Sequence, residues 1–387
     1  MFKEGSLWGG ILLLAGCCIG AGMLGLPIVT AQAGFIPTVV FFILAWLFMV
    51  LTGLILTEVN LWCGAGTNLI SMSKKTLGSV GEWVTIGLFV FLFDSILVGY
   101  ISGGGEIIAG ALGGTIPLWL GGLILIVLFG SFVYAGTYYS DLCNRWLMVG
   151  LAISYFLLVW FGVQEVNGEA LMKRDWSKAW FILPPMVISF GYHNLVPTLT
   201  AYFGADRQRL RLAVVVGALL PLIIYLLWEA VILGILPSEQ GVLQQALDHG
   251  EMVTHVLKQG VGRSGVANLA EAFAFFAIVT SFLGVSLSFV DFLADGLNVK
   301  RTPKGNFLLS ALVMVPPYVI AYTYPGLFYR ALNYAGGFAT VILFGLIPVL
   351  MMRKKGSGPF SGHLILSCVT LFALLVIALT LWNEIGK

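Results

Sequence analysis

The sequence contains few charged residues, since only 10% of its 387 residues are Asp, Glu, Lys or Arg. Soluble domains carry about 25% charged residues. Hydrophobic residues make up 59% of this chain, and no charged residue falls between Glu4 and Glu58. This composition excludes a soluble protein. It indicates an all-α integral membrane protein, because the sequence shows no succession of ten-residue alternating strands.

Cysteine and the usual catalytic motifs are also scarce. The five cysteines are odd in number and lie mostly in apolar runs, so we interpret them as buried hydrophobic side chains rather than a disulfide framework. The sequence contains no HExxH, GxSxG or P-loop motif and no clustered His, Cys and Asp ligands. A channel would need a continuous polar stripe or rings of charge. We therefore expect a carrier rather than an enzyme or a channel, with no metal or cofactor.

The apolar runs are long enough for about eleven membrane-spanning helices of roughly 20 to 25 residues each. We treat residues 1–387 as one transmembrane domain. The predicted spans are 7–32, 35–62, 80–112, 117–138, 143–164, 179–204, 210–236, 264–296, 305–324, 328–352 and 362–383. Polar segments separate them, among them Ser73-Lys74-Lys75 between the second and third spans.

The distribution of positive charge predicts the orientation. Thirteen of the 20 Lys and Arg residues fall on the side that holds the N-terminus, and seven fall on the other side. Because cytoplasmic loops carry the excess of Lys and Arg, we expect a cytoplasmic N-terminus and an external C-terminus. The long connection 237–263 would then be external. Its apolar spacing predicts an amphipathic helix, either part of a lid or a passive surface helix.

The centre of the first span is rich in residues that interrupt helices. Gly16, Gly20, Gly22 and Gly25 are followed by Pro27, and both residue types disfavour a continuous helix. Irregular backbone at membrane depth is tolerated only where it lines a cavity or is buried in protein. The spacing of Gly16 and Gly20 also fits a helix-packing face, so this segment alone leaves both interpretations open.

The sixth span repeats the pattern, with Gly191 and Pro197 flanking the polar residues His193 and Asn194. Interrupted helices in corresponding positions of two halves predict an inverted-repeat transporter whose binding site lies at the interruptions. The repeats would be 1–178 and 179–355, with 356–387 as an additional helix. Free N–H groups at one half-helix end suit a carboxylate, and free carbonyls at the other end suit an ammonium group. Two facing interruptions therefore suit a zwitterionic amino acid.

Five short motifs are spread along the chain. They are Ile19-Gly20-Ala21-Gly22-Met23, Tyr100-Ile101-Ser102-Gly103-Gly104-Gly105-Glu106, Asp141-Leu142-Cys143-Asn144-Arg145, Ser189-Phe190-Gly191-Tyr192-His193 and Thr280-Ser281-Phe282-Leu283-Gly284. With them the sequence resembles the hydroxy and aromatic amino acid permease family, and within it the bacterial tyrosine and tryptophan permeases. The resemblance implies the leucine-transporter-type fold of the amino acid-polyamine-organocation superfamily, a bacterial inner membrane, and proton-driven import of tyrosine, phenylalanine or tryptophan by alternating access.

The resemblance and the two interruptions together predict a substrate site. Its residues are Gly20, Ala21, Gly22, Phe190, Gly191, Tyr192, His193, Asn194, Ser281 and Phe282. The backbone of the first interruption would bind the substrate carboxylate, and that of the sixth span would bind the ammonium group. Phe190 and Phe282 are candidates for an aromatic wall. Thr280 and Ser281 would alternatively hold a sodium ion, or bond back to their own helix.

Acids inside apolar spans are costly when ionised, so they are candidates for ion coupling. The proton-coupling candidates are Glu106, Asp94, Glu229 and His193, with Glu106 first because it lies in a family motif. The gate or ion-pair candidates near the cytoplasmic ends are Asp141, Arg145, Asp291 and Asp295.

One position departs from the family pattern. Some proton-coupled relatives carry a lysine in the fifth helix where this chain has Leu151. The coupling ion is therefore open, with a sodium-coupled carrier as an alternative. A serine or threonine carrier of the same fold is a separate alternative. The expected partners are a small amino acid and the lipid bilayer, with no nucleic acid, and the oligomeric state is open.

Overall fold

The computed structural model describes residues 6–64, 67–235, 253, 256, 264–297, 299–324, 327–356 and 358–385. Regular structure within these ranges is entirely helical. The helices are α1 (Leu7–Cys18), α2 (Leu26–Thr30), α3 (Phe35–Cys63), α4 (Leu69–Ala111), α5 (Leu118–Ala135), α6 (Thr137–Gly162), α7 (Gly168–Met172), α8 (Leu183–Ser189), α9 (Val196–Tyr202), α10 (Arg207–Ile235), α11 (Ser264–Gly296), α12 (Pro303–Thr323), α13 (Leu327–Tyr334), α14 (Ile347–Lys355) and α15 (His363–Ile385).

Nine helices within the described ranges are long and apolar enough to cross a membrane. The predicted all-α integral membrane class is therefore confirmed. One of the nine, Arg330–Lys355, contains a wider π-helical stretch, Ala335–Leu346, which joins α13 to α14. This stretch packs against α8 and α15.

Both predicted interruptions are present. Helix α1 ends at Cys18 and α2 begins at Leu26, so residues 19–25 form the first break, which contains one 3₁₀ turn. Helix α8 ends at Ser189 and α9 begins at Val196, so residues 190–195 form the second break, again with a 3₁₀ turn. Pro27 and Pro197 lie in the first turns of α2 and α9. A missing backbone N–H costs little there, so each proline starts the new half-helix.

Helix α10 supports the first interrupted segment. It packs along α1 and α3 and also contacts α2, α6 and α7. Helix α8 of the second interrupted segment packs between α3 and the π-helical stretch. The two breaks are thereby enclosed by continuous helices, as non-helical backbone at membrane depth requires.

The glycine run of α4 has a packing role. An ideal Cβ on Gly105 would lie 2.9 Å from the backbone nitrogen of Gly122, and one on Gly121 would lie 2.3 Å from the carbonyl oxygen of Gly105. Tyr322 fills the space beside these glycines and donates a hydrogen bond of 3.0 Å to the carbonyl of Ile101. Helices α4 and α5 therefore approach closely because no side chain separates them.

Two segments that the sequence places between spans are the subject of separate predictions. Ser73-Lys74-Lys75, predicted as a connection between spans, instead lies in the first arm of α4, which Asn68 caps through the Ser71 N–H. The chain turns sharply at Gly78, whose φ of 77° suits glycine. The amphipathic helix predicted for 237–263 lies outside the described residues except for Val253 and Val256, which are buried.

The contact between α4 and α5 yields a stability prediction. Gly121→Ala should lower the free energy of unfolding by about 1–3 kcal/mol, because the methyl group would overlap backbone. Gly110→Ala on α4 is the matched control, since nothing lies within 4 Å of its Cβ position. It should be neutral or stabilising by up to about 1 kcal/mol. Thermal unfolding in detergent measures both, and equal stability of the two variants would contradict the packing argument.

Candidate functional site

A cavity of about 110 Å³ lies between the two breaks. Five of the ten predicted site residues line it: Gly20, Gly22, Gly191, Asn194 and Ser281. A second cavity of about 400 Å³ adjoins it. The residues common to both linings are Cys17, Phe93, Tyr100, Asn194, Ser281 and Val285. The structure thus brings both breaks and α11 to one continuous space inside the helix bundle.

The aromatic wall of the smaller cavity comes from residues outside the predicted set. Phe89, Phe93 and Tyr100 of α4 line it, and Phe344 of the π-helical stretch lies among them. With Ile96, the α4 residues follow a spacing of four, three and four, which places them on one helical face. That stripe is the sequence signal that could have identified them, although in a chain with 27 Phe such stripes are common.

The predicted aromatic residues lie behind the cavities. Phe190 and Phe282 are fully buried and line neither one. The Phe190 ring centroid is 5.3 Å from that of Tyr225 and 6.2 Å from that of Phe42, both in edge-to-face arrangement. Tyr192 donates a hydrogen bond of 2.9 Å to the carbonyl of Met49. These side chains hold the second break against its neighbours.

His193 connects the second break to the cavity wall. Its ring stacks between Tyr192 and Phe344, with centroid separations of 4.7 and 4.8 Å. Its Nε2 lies 2.9 Å from the Thr52 hydroxyl oxygen, and Nδ1 has no hydrogen-bond partner among the described residues. The ring is fully buried. His193 therefore contacts the cavity through Phe344 rather than lining it.

Tyr225 of α10 joins the ends of the two interrupted segments. Its hydroxyl oxygen lies 2.5 Å from the carbonyl oxygen of Cys18 and 2.7 Å from that of Ser189, the last residues of α1 and α8. A hydroxyl carries one hydrogen, so it donates to one carbonyl at a time. Cys18 and Ser189 both line the smaller cavity. Two negative helix ends therefore meet at this cavity, an arrangement that stabilises a cationic group.

The polar side chains of Thr280 and Ser281 on α11 bond to other groups of the protein. The Thr280 hydroxyl oxygen lies 2.8 Å from the carbonyl oxygen of Phe276 and 3.1 Å from that of Ala277, so it donates back to its own helix. Ser281 is hydrogen-bonded to Tyr100. An ideal Cβ on Gly20 would lie 2.3 Å from the Ser281 hydroxyl oxygen. The first break and α11 are thus in close contact at Gly20.

The other proton-coupling candidates lie apart from the cavities. Asp94 and Glu106 are partly buried on α4, whereas Glu229 is fully buried on α10. Glu106 directly follows the glycines that pack on α5. None of these three lines either cavity. Leu151 is buried on α6.

Three of the four gate candidates form exposed ion pairs. Asp141 and Arg145 are 2.6 Å apart on one helical turn, and Asp291 pairs with Arg301. Asp295 is exposed. Exposed pairs of this kind contribute little to stability.

An ionic cluster around the buried Glu58 was not predicted. Glu58 is fully buried, with Arg211 at 2.8 Å and Arg207 at 3.5 Å. The Arg211 guanidinium also lies 5.5 Å from the ring centroid of Phe360. Because these partners are far apart in sequence, only the three-dimensional structure brings them together.

Comparison with known proteins identifies the family. The family model described as the tryptophan/tyrosine permease family matches residues 3–385. The chain belongs to this family. The permease is 32% identical over 366 residues to the tryptophan-specific transport protein of Pseudomonas aeruginosa (strain UCBPP-PA14), an alignment that covers 91% of this chain and 87% of the relative.

Other relatives span nearly the full length. The tyrosine-specific transport system 1 of Haemophilus influenzae is 28% identical, with 95% of the permease and 94% of the relative covered. The low affinity tryptophan permease of Escherichia coli (strain K12) is 28% identical, with 97% and 95% covered. The predicted family is confirmed, and the permease is a transporter rather than an enzyme.

The Tyr225 contact yields a second prediction. Tyr225→Phe should lower the free energy of unfolding by about 1–3 kcal/mol, because it leaves two buried carbonyls without their donor. Amide hydrogen exchange should also rise in residues 19–25 and 190–195. Tyr155→Phe is the matched control, since its hydroxyl donates at 3.0 Å to the Ile224 carbonyl and to no break residue in the described part of the chain. Unchanged exchange in both breaks of the Tyr225 variant would show that the hydroxyl does not hold them.

Proposed function

We propose that this permease imports aromatic amino acids, tyrosine with tryptophan and phenylalanine, by proton symport and alternating access. The observation that carries the proposal is the cavity between the breaks, which combines helix-end carbonyls with an aromatic wall. The relatives whose printed names specify tryptophan or tyrosine transport support the substrate class.

The cavity offers a separate place for each part of such a substrate. The carbonyls of Cys18 and Ser189 stabilise the ammonium group, in competition with the Tyr225 hydroxyl. The backbone of Gly20–Gly22 binds the carboxylate. The aromatic side chain packs against Phe93 and its neighbours on α4, where ring contacts add about 0.5–1.5 kcal/mol beyond burial.

The proposed architecture follows from the two interrupted segments. Counting each of them as one crossing, with the nine long helices, makes eleven spans. Residues 1–178 and 179–355 form inverted repeats of the leucine-transporter type, and 356–387 adds the last helix. The chain lies in a bacterial inner membrane with its N-terminus in the cytoplasm and its C-terminus outside.

This orientation gives the larger cavity a role. Leu12, Leu13 and Gly16 of α1 and Ser288 of α11 line it. These residues lie between the breaks and the end of the bundle that holds the N-terminus, so the cavity is the route by which substrate leaves toward the cytoplasm. The conformation is then inward-facing, one of the two states that alternating access requires.

Uptake into proteoliposomes tests the proposal. Labelled tyrosine should accumulate under an inward proton gradient without sodium, and unlabelled tryptophan and phenylalanine should compete while serine and leucine should not. Accumulation under a sodium gradient alone would show that sodium, rather than the proton, is the coupling ion. Competition by serine or threonine instead would show that the substrates are hydroxy amino acids rather than aromatic ones.

Gly22 provides a steric test of where substrate binds. A Cβ there would lie 3.6 Å from the Ser189 hydroxyl oxygen and 3.7 Å from its Cα, which are ordinary contacts. Gly22→Ala should therefore leave thermal stability unchanged but weaken tyrosine binding about tenfold or more, because its methyl group takes space that the substrate occupies. Gly87→Ala on α4, with nothing within 4 Å of its Cβ position and no part in either cavity lining, is the control. Equal affinities of the two variants would place the carboxylate elsewhere.

A further inference from the structure

One face of α10 contacts the first interrupted segment at three successive points. Tyr225 reaches the carbonyl that ends α1, the Trp228 indole donates a hydrogen bond of 3.2 Å to the Met23 carbonyl, and Glu229 lies 2.7 Å from the Thr30 hydroxyl. Residues three and four positions apart share a helical face. The end of α1, the break and the end of α2 are therefore all attached to α10.

Glu229 is the ionisable group on this face. Its side chain is fully buried, and Oε1 has no hydrogen-bond partner among the described residues. The contact of Oε2 with the Thr30 hydroxyl is its one hydrogen bond in the described part of the chain. No Lys, Arg or His of that part forms an ion pair with it. An ionised carboxylate held by one hydroxyl at this depth is costly.

Counting hydrogens distinguishes two states of this contact. The Thr30 hydroxyl oxygen is also 3.3 Å from the carbonyl oxygen of Pro27, and the hydroxyl has one hydrogen. If Glu229 is ionised, that hydrogen goes to the carboxylate, and the Pro27 carbonyl keeps only the hydrogen bond from the Ala31 N–H, at 2.9 Å. If Glu229 carries a proton, the acid donates to Thr30 and Thr30 donates to Pro27. The protonated state makes both contacts of the Thr30 hydroxyl oxygen into hydrogen bonds, and it leaves no charge on the buried carboxyl group.

We infer that Glu229 is the proton-carrying residue of this transporter, and that its proton fastens α2 to α10 through Thr30. The inference rests on the proposed proton symport. Loss of the proton leaves a buried charge that only water or movement of α2 can relieve. Since the same helical face holds the first break through Tyr225 and Trp228, that movement changes the substrate site. Proton and substrate are thereby coupled through one helix.

Other charges do not neutralise Glu229. The charged and titratable groups on the described elements packed against α10 are Cys17, Cys18, Glu58, Cys63, Tyr138, Tyr139, Asp141, Cys143, Arg145, Tyr155, Glu165, Glu169 and, on α11, whose Phe273 ring contacts Trp228, the acids Glu271, Asp291 and Asp295. Glu58 pairs with Arg211, about five helical turns from Glu229 along α10. Asp141 pairs with Arg145. Glu165 and Glu169 lie near Gly234, at the C-terminal end of α10.

The remaining candidates lack this combination. Asp94 and Glu106 are partly rather than fully buried, and Glu106 has another interaction. The His193 ring is buried, but its hydrogen bond goes to Thr52 of α3. His193 is also fully buried and belongs to the second break, but among the candidate acids Glu229 alone combines full burial with direct contact to an interrupted segment.

The test separates coupling from transport in proteoliposomes that contain wild type, Glu229→Gln, Thr30→Val, Glu106→Gln or Asp94→Asn. Glu229→Gln should keep tyrosine exchange at equal pH within about twofold of wild type, because the amide mimics the protonated acid, and lose gradient-driven accumulation by about tenfold or more. Its exchange rate should become independent of pH. Thr30→Val should also reduce accumulation relative to exchange. The Glu106 and Asp94 variants should keep both.

Each other outcome has a defined meaning. Wild-type accumulation that follows sodium overturns the proposed coupling and this inference together. Proton-driven accumulation by wild type and by Glu229→Gln alike overturns only the inference. If Glu229→Gln loses exchange as well, Glu229→Asp decides, because it keeps a carboxyl group. Restored exchange with pH dependence then supports the proton role, whereas loss of both in a monodisperse, folded variant shows that Glu229 is structural.

Discussion

Backbone groups that leave a helix inside a membrane need a partner from the protein, because lipid offers none. This constraint governs the two breaks of the permease. The Tyr225 hydroxyl stands between the last carbonyls of α1 and α8, and Trp228 serves the Met23 carbonyl within the first break. Helix α10 thus supplies hydrogen-bond donors to the non-helical backbone beside the cavity, and the binding site depends on these bonds.

The positions of the breaks could be predicted because their cause is local. Glycines that disfavour a helix and prolines that start a new one are visible in the sequence, and both interruptions occur where Gly22, Pro27, Gly191 and Pro197 indicate. The membrane class follows as directly from the scarcity of charge. Family motifs added the transporter assignment, which the match over residues 3–385 confirms.

The walls of the cavity could not be predicted in the same way. On a membrane helix nearly every face is apolar, so hydrophobic pattern does not show which phenylalanine faces a ligand. Phe190 and Phe282 pack behind the breaks, while Phe93 and Phe344 reach the cavity. Nor does sequence reveal that Glu229 meets Thr30 across 199 positions. These contacts depend on how the helices pack together.

The ring stack of Tyr192, His193 and Phe344 has a consequence for how such a transporter can diverge. One side of Phe344 borders the cavity, while the imidazole of the second break lies flat against its ring at an interplanar angle of 8°. A substitution that enlarges the cavity at Phe344 also removes the surface on which His193 rests. A change of ligand preference at Phe344 therefore also alters the packing of the second break.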